Sequence, residues 1–389
     1  MLKLCVSQQK NNIAYVFSQT GQRVFSIEEA QYYVFHNWRL VSDDFLCDSF
    51  VAWVAGIGLS FFSSKIKEIS RQPSFSLRIL GFLGLTEYFG DDELNFLKSR
   101  LEKWEARQDY EKLKERADYF TATGEPIKAI PLYKQAIALE ESEYLLNNLG
   151  VAQMQVQNFS DAVESFKRAI SLSPSNFDVL LGLIESLIRS GNVKEAGTEL
   201  QKLIGSNANT KSIADISYLQ GLLAWNEKRH LDCLTFLKEA CKLNPESVFF
   251  VMEVASKLTA MRQFESAINF LESSQIKDYA YYAAKADVYK AAKDFPKAIK
   301  AVKKAIQQAG GKNTTLYTKL ASFYRQDYNL PQAESSIQIA LEADPGNELA
   351  KLELARIKKA QGRIRDYQSE LNDVLGEFKK RYRENFNKY

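Results

Sequence analysis

The residues able to do chemistry in this 389-residue sequence are few and scattered. Its histidines are His36 and His230. Neither stands near a Ser or Cys arrangement that would make it the base of a triad, and His230 falls in an expected turn between helices. The four cysteines, Cys5, Cys47, Cys233 and Cys241, show no C-x-x-C or metal-ligand spacing. Cys233 and Cys241 lie on one expected helix, separated by about 12 Å of helical rise, which is too far for a disulfide. Free thiols in a reducing compartment are the expectation. Gly56-Ile57-Gly58 lacks the third glycine and the preceding strand of a dinucleotide loop. No phosphate loop, H-E-x-x-H or calcium loop occurs. Asp43-Asp44 and Asp91-Asp92 precede expected helices and read as caps. The expectation is a protein that is not an enzyme and holds no catalytic residue, metal or cofactor.

The elements around these residues point to a different kind of protein. Basic and acidic residues nearly balance, 51 against 48, so no whole-chain field draws nucleic acid. Apolar content of 46% with scarce proline favours a folded, helical chain. Residues 1–12 carry no apolar stretch of a secretory signal. The longest apolar run, FVAWVAGIGLSFF from Phe50 to Phe62, falls short of the roughly 20 residues that span a bilayer. It is expected to form a buried core helix, and the protein is placed in the cytoplasm.

A small residue recurs through the chain, at Ala129, Ala162, Ala196, Cys233, Ala267, Ala298 and Ala333, with gaps of 33, 34, 37, 34, 31 and 35. Twelve residues before each sit Ala117, Gly150, Ile184, Gly221, Ala255, Ala286 and Ala321. Seven residues after each sit Ala136, Ala169, Leu203, Ala240, Ser274, Ala305 and Ala340. Between fall Tyr133, Phe166, Leu200, Leu237, Leu271, Val302 and Ile337. Each unit is then two antiparallel helices. Small residues let the helices cross closely, the large residue fills the gap to the next unit, and stacking creates the core. Pro174, Pro245 and Pro345 follow helices, and Pro126, Pro296 and Pro331 sit near helix starts.

This pattern resembles the tetratricopeptide repeat, most clearly where Leu149-Gly150 is followed by Ala162, Phe166, Ala169 and Pro174. The resemblance implies an all-α superhelical solenoid of about seven to eight helix pairs. Ile184 and Leu203 depart from it by their size, and the fifth unit lacks its proline. A degenerate eighth unit from about Glu348 places Tyr367, Leu371 and Val374 in phase. The expected domains are a mainly helical region over 1–105, the repeat array over 106–365 and a basic capping helix over 366–389. In the first region Ile13–Phe17 and Arg23–Phe25 suggest a short hairpin, and Ser26 with Glu29 a capping box. Further helices are expected near 44–57, 75–88 and 91–113. The aromatic residues Tyr32, Tyr33, Phe35, Trp38, Phe45, Phe50 and Trp53 are read as core. The segment SIEEAQYYVFHNW resembles leader regions of some uncharacterised tetratricopeptide-repeat proteins of Gram-positive bacteria.

The resemblance also implies binding modes that this chain can be tested against. A carboxylate clamp wants lysine and asparagine where Lys114 and Asn148 stand, but Asp118, Asp178 and Gly182 depart from it. Base-by-base RNA reading belongs to related 35-residue repeats, and the spacing here favours a protein or peptide partner over nucleic acid. Carrying the repeat phase onto the first helix of each pair gives an inner wall of Tyr144, Asn147, Val151, Met154, Leu181, Ile188, Tyr218, Leu222, Trp225, Phe249 and Met252. Glu111, Lys114 and Asp118 lie toward one end, with Arg325, Arg356 and Lys359 toward the other. The expected function is a scaffold that takes a partner polypeptide on this wall. A peptide-sensing regulator and a peripheral component of a membrane or secretion assembly compete with it. Membrane contact is the less favoured.

Overall fold

The computed structural model describes residues 14–17, 20, 22–41, 45–204, 210–275, 277–310, 313–344 and 347–386. Cys5, Asp43-Asp44, Pro345, the residues 1–12, most of the expected hairpin turn and the side chains of the basic tail lie outside them. The chain divides into two compact units, Met1–Ser186 and Leu187–Tyr389.

The first unit opens with a two-stranded antiparallel ribbon, β1 (Tyr15–Val16) and β2 (Arg23–Val24), in the register Tyr15↔Val24. Five helices follow: α1 (Ile27–Asn37), α2 (Asp48–Gly56), α3 (Ser60–Ile69), α4 (Phe75–Leu83) and α5 (Asp91–Glu105). A 3₁₀ turn, Trp38–Leu40, trails α1. Ser26 caps α1 by accepting the Glu29 N–H, and the Glu29 carboxylate accepts from the N–H of Phe25, one residue before the cap. Ring edges close the core: Phe50 meets Tyr15 and Phe82, and Trp38 meets Trp104. Tyr32 stands exposed outside this core, unlike the aromatics around it.

Three expectations for this region are corrected. Residues 50–62 do not form one buried helix: Gly58, at φ +89°, breaks the run between α2 and α3 and leaves Phe61 in solvent. Residues 91–113 are not one helix either. They part after Glu105, and a new helix starts where the Glu111 carboxylate accepts the Gln108 N–H at 3.2 Å. Asp91 and Asp92 lie in the first turn of α5, whose N-cap is Gly90. There they complement the helix dipole and do not cap it.

Helix pairs occupy the rest of the first unit: α6 (Asp109–Ala122) with α7 (Pro126–Leu139), and α8 (Glu143–Gln155) with α9 (Phe159–Leu172). The helix α10 (Phe177–Arg189) contains the division between the units. The N-terminal helices are fastened to the first pair by Arg116. Its Nε donates to the Arg39 carbonyl at 2.6 Å and its Nη2 to the Val41 carbonyl at 3.2 Å. Glu115 pairs with both Arg39 and Arg107, and Leu40 joins the core of α6–α8.

The second unit continues the pattern with α11 (Val193–Ile204), α12 (Thr210–Asn226), α13 (His230–Leu243), α14 (Val248–Ala260) and α15 (Phe264–Glu272). Beyond them run α16 (Tyr279–Ala291), α17 (Phe295–Ala309), α18 (Thr314–Gln326), α19 (Leu330–Ala343), α20 (Glu348–Ala360) and α21 (Ile364–Phe386). The second helix of the fifth pair, α15, spans nine residues where α13 spans 14.

The expected phase appears as burial. All seven recurring small residues from Ala129 to Ala333 are fully buried, as are Tyr133, Phe166 and their counterparts. The turn inside each pair has its own signature. Gly124, Gln157, Gly191, Lys228, Arg262, Lys293, Tyr328 and Gly362 all take positive φ. Each of the first seven lies five residues before the small residue of its unit. The residue after each donates back across the helix end, as in Asn158 N to Gln153 O at 2.9 Å and Arg363 N to Lys358 O at 2.9 Å. These are Schellman caps, satisfying carbonyls that the helix end orphans. Gly362 keeps the spacing in the degenerate eighth pair, where Tyr367 replaces the small residue.

Candidate functional site

The first helices of the pairs, α6, α8, α10, α12, α14, α16, α18 and α20, carry the face on which the sequence places a partner. The side chains outside the packing positions of these helices decide what it can do.

In the first unit the face is polar, then apolar. Asp118 of α6 gathers three donors: the Lys114 ammonium at 2.6 Å, the Asn148 amide at 3.0 Å and the Tyr133 hydroxyl at 2.6 Å. Burial, then the hydrogen bond to the Asp118 carboxylate, pushes the Tyr133 hydroxyl well above the usual tyrosine range. Lys114 and Asn148 are the two residues that fit a carboxylate clamp, and an internal carboxylate already takes their hydrogen bonds. On α8, Tyr144 is 69% exposed and Val151 is also exposed, while Asn147 and Met154 are half-buried. Leu181 of α10 is half-buried.

In the second unit the expected wall separates into two sets. Ile188, Tyr218 and Leu222 are buried. For these three the expected partner contact is corrected to a packing role, because neighbouring helices already cover them. The Tyr218 hydroxyl accepts from Arg189 Nη2 at 3.1 Å, and its ring meets Phe249 edge-on at 5.1 Å and Phe250 at 5.7 Å. Phe249 is 48% exposed above it, and Met252 is half-buried. Trp225 is half-buried beside the His230 ring at 4.6 Å, with the Lys257 ammonium over its own ring at 4.9 Å. His230 begins α13.

Two residues that matter here went unnoticed in the sequence. Glu353 of α20 is 3% exposed, with Arg325 Nε at 2.6 Å and Arg356 Nη1 at 3.3 Å. The Glu353–Arg356 spacing of three on one helix was the available signal. Lys257 had none, since it meets Trp225 from the next pair. Burial pushes the Cys233 and Cys241 thiols up to about 11, so both are inert as nucleophiles at neutral pH. Among the described residues no three His, Cys, Asp or Glu side chains converge into a metal-sized group. No described helix is long and apolar enough to cross a membrane.

Helix pairs in which small residues meet at most crossings, a large residue fills the gap between pairs and a Schellman turn closes the first helix of each pair define an all-α tetratricopeptide-repeat fold. The chain resembles tetratricopeptide-repeat proteins in sequence as well as in fold. Residues 140–247 match the model of the TT21 fifth ARM repeats domain. The chain is 30% identical over 86 residues to tetratricopeptide repeat protein 21B of Xenopus laevis, covering 22% of this chain and 7% of that protein. It is 28% identical over 169 residues to anaphase-promoting complex subunit 7 of Mus musculus, covering 42% of this chain and 27% of that protein. The matches therefore span well under a third of either relative's length. Among solved structures, yeast Tom70 superposes with a TM-score of 0.53 at 17% identity, over 90% of this chain and 87% of that one. That likeness concerns the fold.

Proposed function

We propose that this protein is a non-catalytic scaffold that holds a partner polypeptide on the first-helix face of its repeats and so helps to assemble a protein complex. The observation that carries the reading is Phe249: a large aromatic side chain half in solvent, seated on the buried ring of Tyr218. An aromatic residue fixed from below and open above is the form an interface anchor takes. Tyr144, at the equivalent position of α8, and Val151, two turns further along that helix, offer exposed apolar surface. Membership in an assembly, which the name of the mouse relative states for that protein, supports the same reading for this chain. We place the protein in the cytoplasm, with residues 1–105 as a separate helical domain joined to the array and residues 366–389 as its cap.

The test is affinity capture from the native cell with the wild-type chain and with Phe249→Ala, followed by mass spectrometry. The expected result is a defined partner whose recovery falls at least tenfold with the variant. Equal recovery of every captured protein by both chains overturns the reading.

A further inference from the structure

Across α14, α16, α18 and α20 the exposed face carries large apolar side chains near the start of the outer two helices and cations near the end of the last three. Early in α14 stand Phe249 and Met252, and early in α20 stand Leu349, 73% exposed, and Leu352. The same repeat positions in α16 and α18 hold only Ala280, Ala283, Thr315 and Thr318. Thr318 turns its hydroxyl back onto the Thr314 carbonyl at 2.8 Å. Large apolar side chains thus flank a floor of small ones. Toward the other end of the same helices the repeat position filled by Trp225 in α12 becomes Lys290, Arg325 and Lys359 in α16, α18 and α20. Arg356 lies one turn before Lys359.

Charge on these helices is strongly one-sided. Together α16, α18 and α20 carry eight lysines and arginines against three acidic residues. Asp287 is bound to Lys319 at 2.7 Å, and Glu353 is buried between Arg325 and Arg356. Lys290 and Lys359 are exposed. The helices α6 and α8 have the opposite balance, three basic residues against five acidic. On these three first helices the cations therefore outnumber the anions by five.

The apolar and basic positions are centred about seven residues apart along a helix, or roughly 10 Å of rise. That is the width of one α-helix lying across the array. We propose that the first-helix face of α14–α20 binds an amphipathic α-helix of a partner protein, with its apolar stripe in the trough between Phe249 and Leu349 and an acidic flank on Lys290, Arg325, Arg356 and Lys359. Four helices packed side by side cover roughly 30 Å, so the occupant has about 20 residues. The proposal rests on the scaffold reading above and gives its partner a chemistry. A nucleic acid fits less well, because it would pair with the basic row but leave the apolar side chains of Phe249 and Leu349 uncovered.

The test is fluorescence anisotropy on the full chain with three labelled probes: a 20-residue model helix with a leucine face and a glutamate flank, the same peptide with lysines for the glutamates, and an oligouridine RNA. The acidic helix is expected to bind at least tenfold more tightly than the basic one, and less tightly as salt rises. Lys290→Glu with Lys359→Glu should weaken the acidic helix at least tenfold while leaving the melting curve in place, since both side chains are exposed. Phe249→Ala should weaken it about as much. Equal binding of the two peptides, no binding of the acidic one, or indifference to the double charge reversal overturns the proposal. Tighter binding of the RNA, lost in the same double variant, reassigns the face to nucleic acid. If the acidic probe fails while Phe249→Ala still abolishes capture of the native partner, the charge assignment falls and the scaffold reading stands. If both experiments fail, both fall.

Discussion

A side-chain carbon at Gly182 would stand 2.7 Å from the ring of Phe166. The same ring would come within 2.8 Å of a carbon at Gly150, so Phe166 fills the space between two successive first helices, each of which needs a glycine to admit it. Alanine ordinarily stabilises a helix interior by up to about 1 kcal/mol over glycine. Here the ring is fully buried and has no free direction to move, so overpacking outweighs propensity. Gly150→Ala and Gly182→Ala are each expected to destabilise by about 1–3 kcal/mol in urea melts. Gly197 in α11 is the contrast: its nearest neighbour would be 3.9 Å away. Gly197→Ala should stabilise by about 0.5–1 kcal/mol.

The Schellman turns give a second prediction. Tyr328 is 89% exposed, takes φ +59° and fills a position that three other units give to glycine, at Gly124, Gly191 and Gly362. An L-residue with a large side chain pays about 1–2 kcal/mol for left-handed backbone, offset in part by the greater unfolded freedom of glycine. Tyr328→Gly should therefore raise stability by about 0.5–1 kcal/mol, read as a shift of the urea midpoint at constant slope. A lowered midpoint would show that the Tyr328 ring makes a contact worth more than the turn costs.

At low pH one carboxylate should dominate the N-terminal region. Glu105 accepts from Ser74 Oγ at 2.8 Å, Ser76 Oγ at 2.6 Å and the Phe75 N–H at 2.9 Å, tying α5 to the start of α4. Burial alone would raise its pKa, but these hydrogen bonds outweigh burial and hold it below the usual glutamate range. A carboxylate with a depressed folded-state pKa gives stability that is complete above its unfolded value of about 4.3 and disappears as pH falls through the folded value. The wild type should lose stability below about pH 4 more steeply than Glu105→Gln. Parallel pH profiles for the two chains would remove Glu105 from that role.

The Asp118 cluster separates a buried contact from an exposed one. Asp118→Ala leaves the Tyr133 hydroxyl and the Asn148 amide without their acceptor and should cost about 1–3 kcal/mol. Lys114→Ala removes an ion pair whose members are both more than a third exposed and should change stability by less than about 1 kcal/mol. A cost for Lys114→Ala equal to that of Asp118→Ala would mean that the ammonium, not the tyrosine, holds the carboxylate.

Much of this fold was legible because close helix crossing imposes small residues at a fixed register. Ala162, Phe166 and Ala169 announce their geometry without reference to any neighbour. The break at Gly58 was less legible, since an apolar run from Phe50 to Phe62 satisfies a buried helix equally well until the glycine's backbone is seen. The site was harder again. Tyr218 and Phe249 look alike in the repeat phase, yet one is buried and the other half exposed, because burial depends on residues of the adjoining pairs. Glu353 reads as one more charge on a polar helix, and only packing shows it closed between two arginines.

That difference between Tyr218 and Phe249 supplies the sharpest test of the site. Tyr218→Ala removes a buried ring and leaves Arg189 without the hydroxyl it donates to, so it should cost about 3–5 kcal/mol. Phe249→Ala removes a ring that is half in solvent and touches Tyr218 only by an edge, and should cost about 1 kcal/mol. Trp225→Ala should fall between them, because the ring is half-buried and holds the Lys257 ammonium. Partner binding should rank the other way at Phe249: a truncated anchor at a hot spot costs about 2 kcal/mol or more of affinity. The expected result is therefore a Phe249→Ala chain that melts close to wild type and binds at least tenfold more weakly. A Phe249→Ala chain that unfolds as readily as Tyr218→Ala would make Phe249 a packing residue, and the partner face would then have to lie on other surfaces of the array.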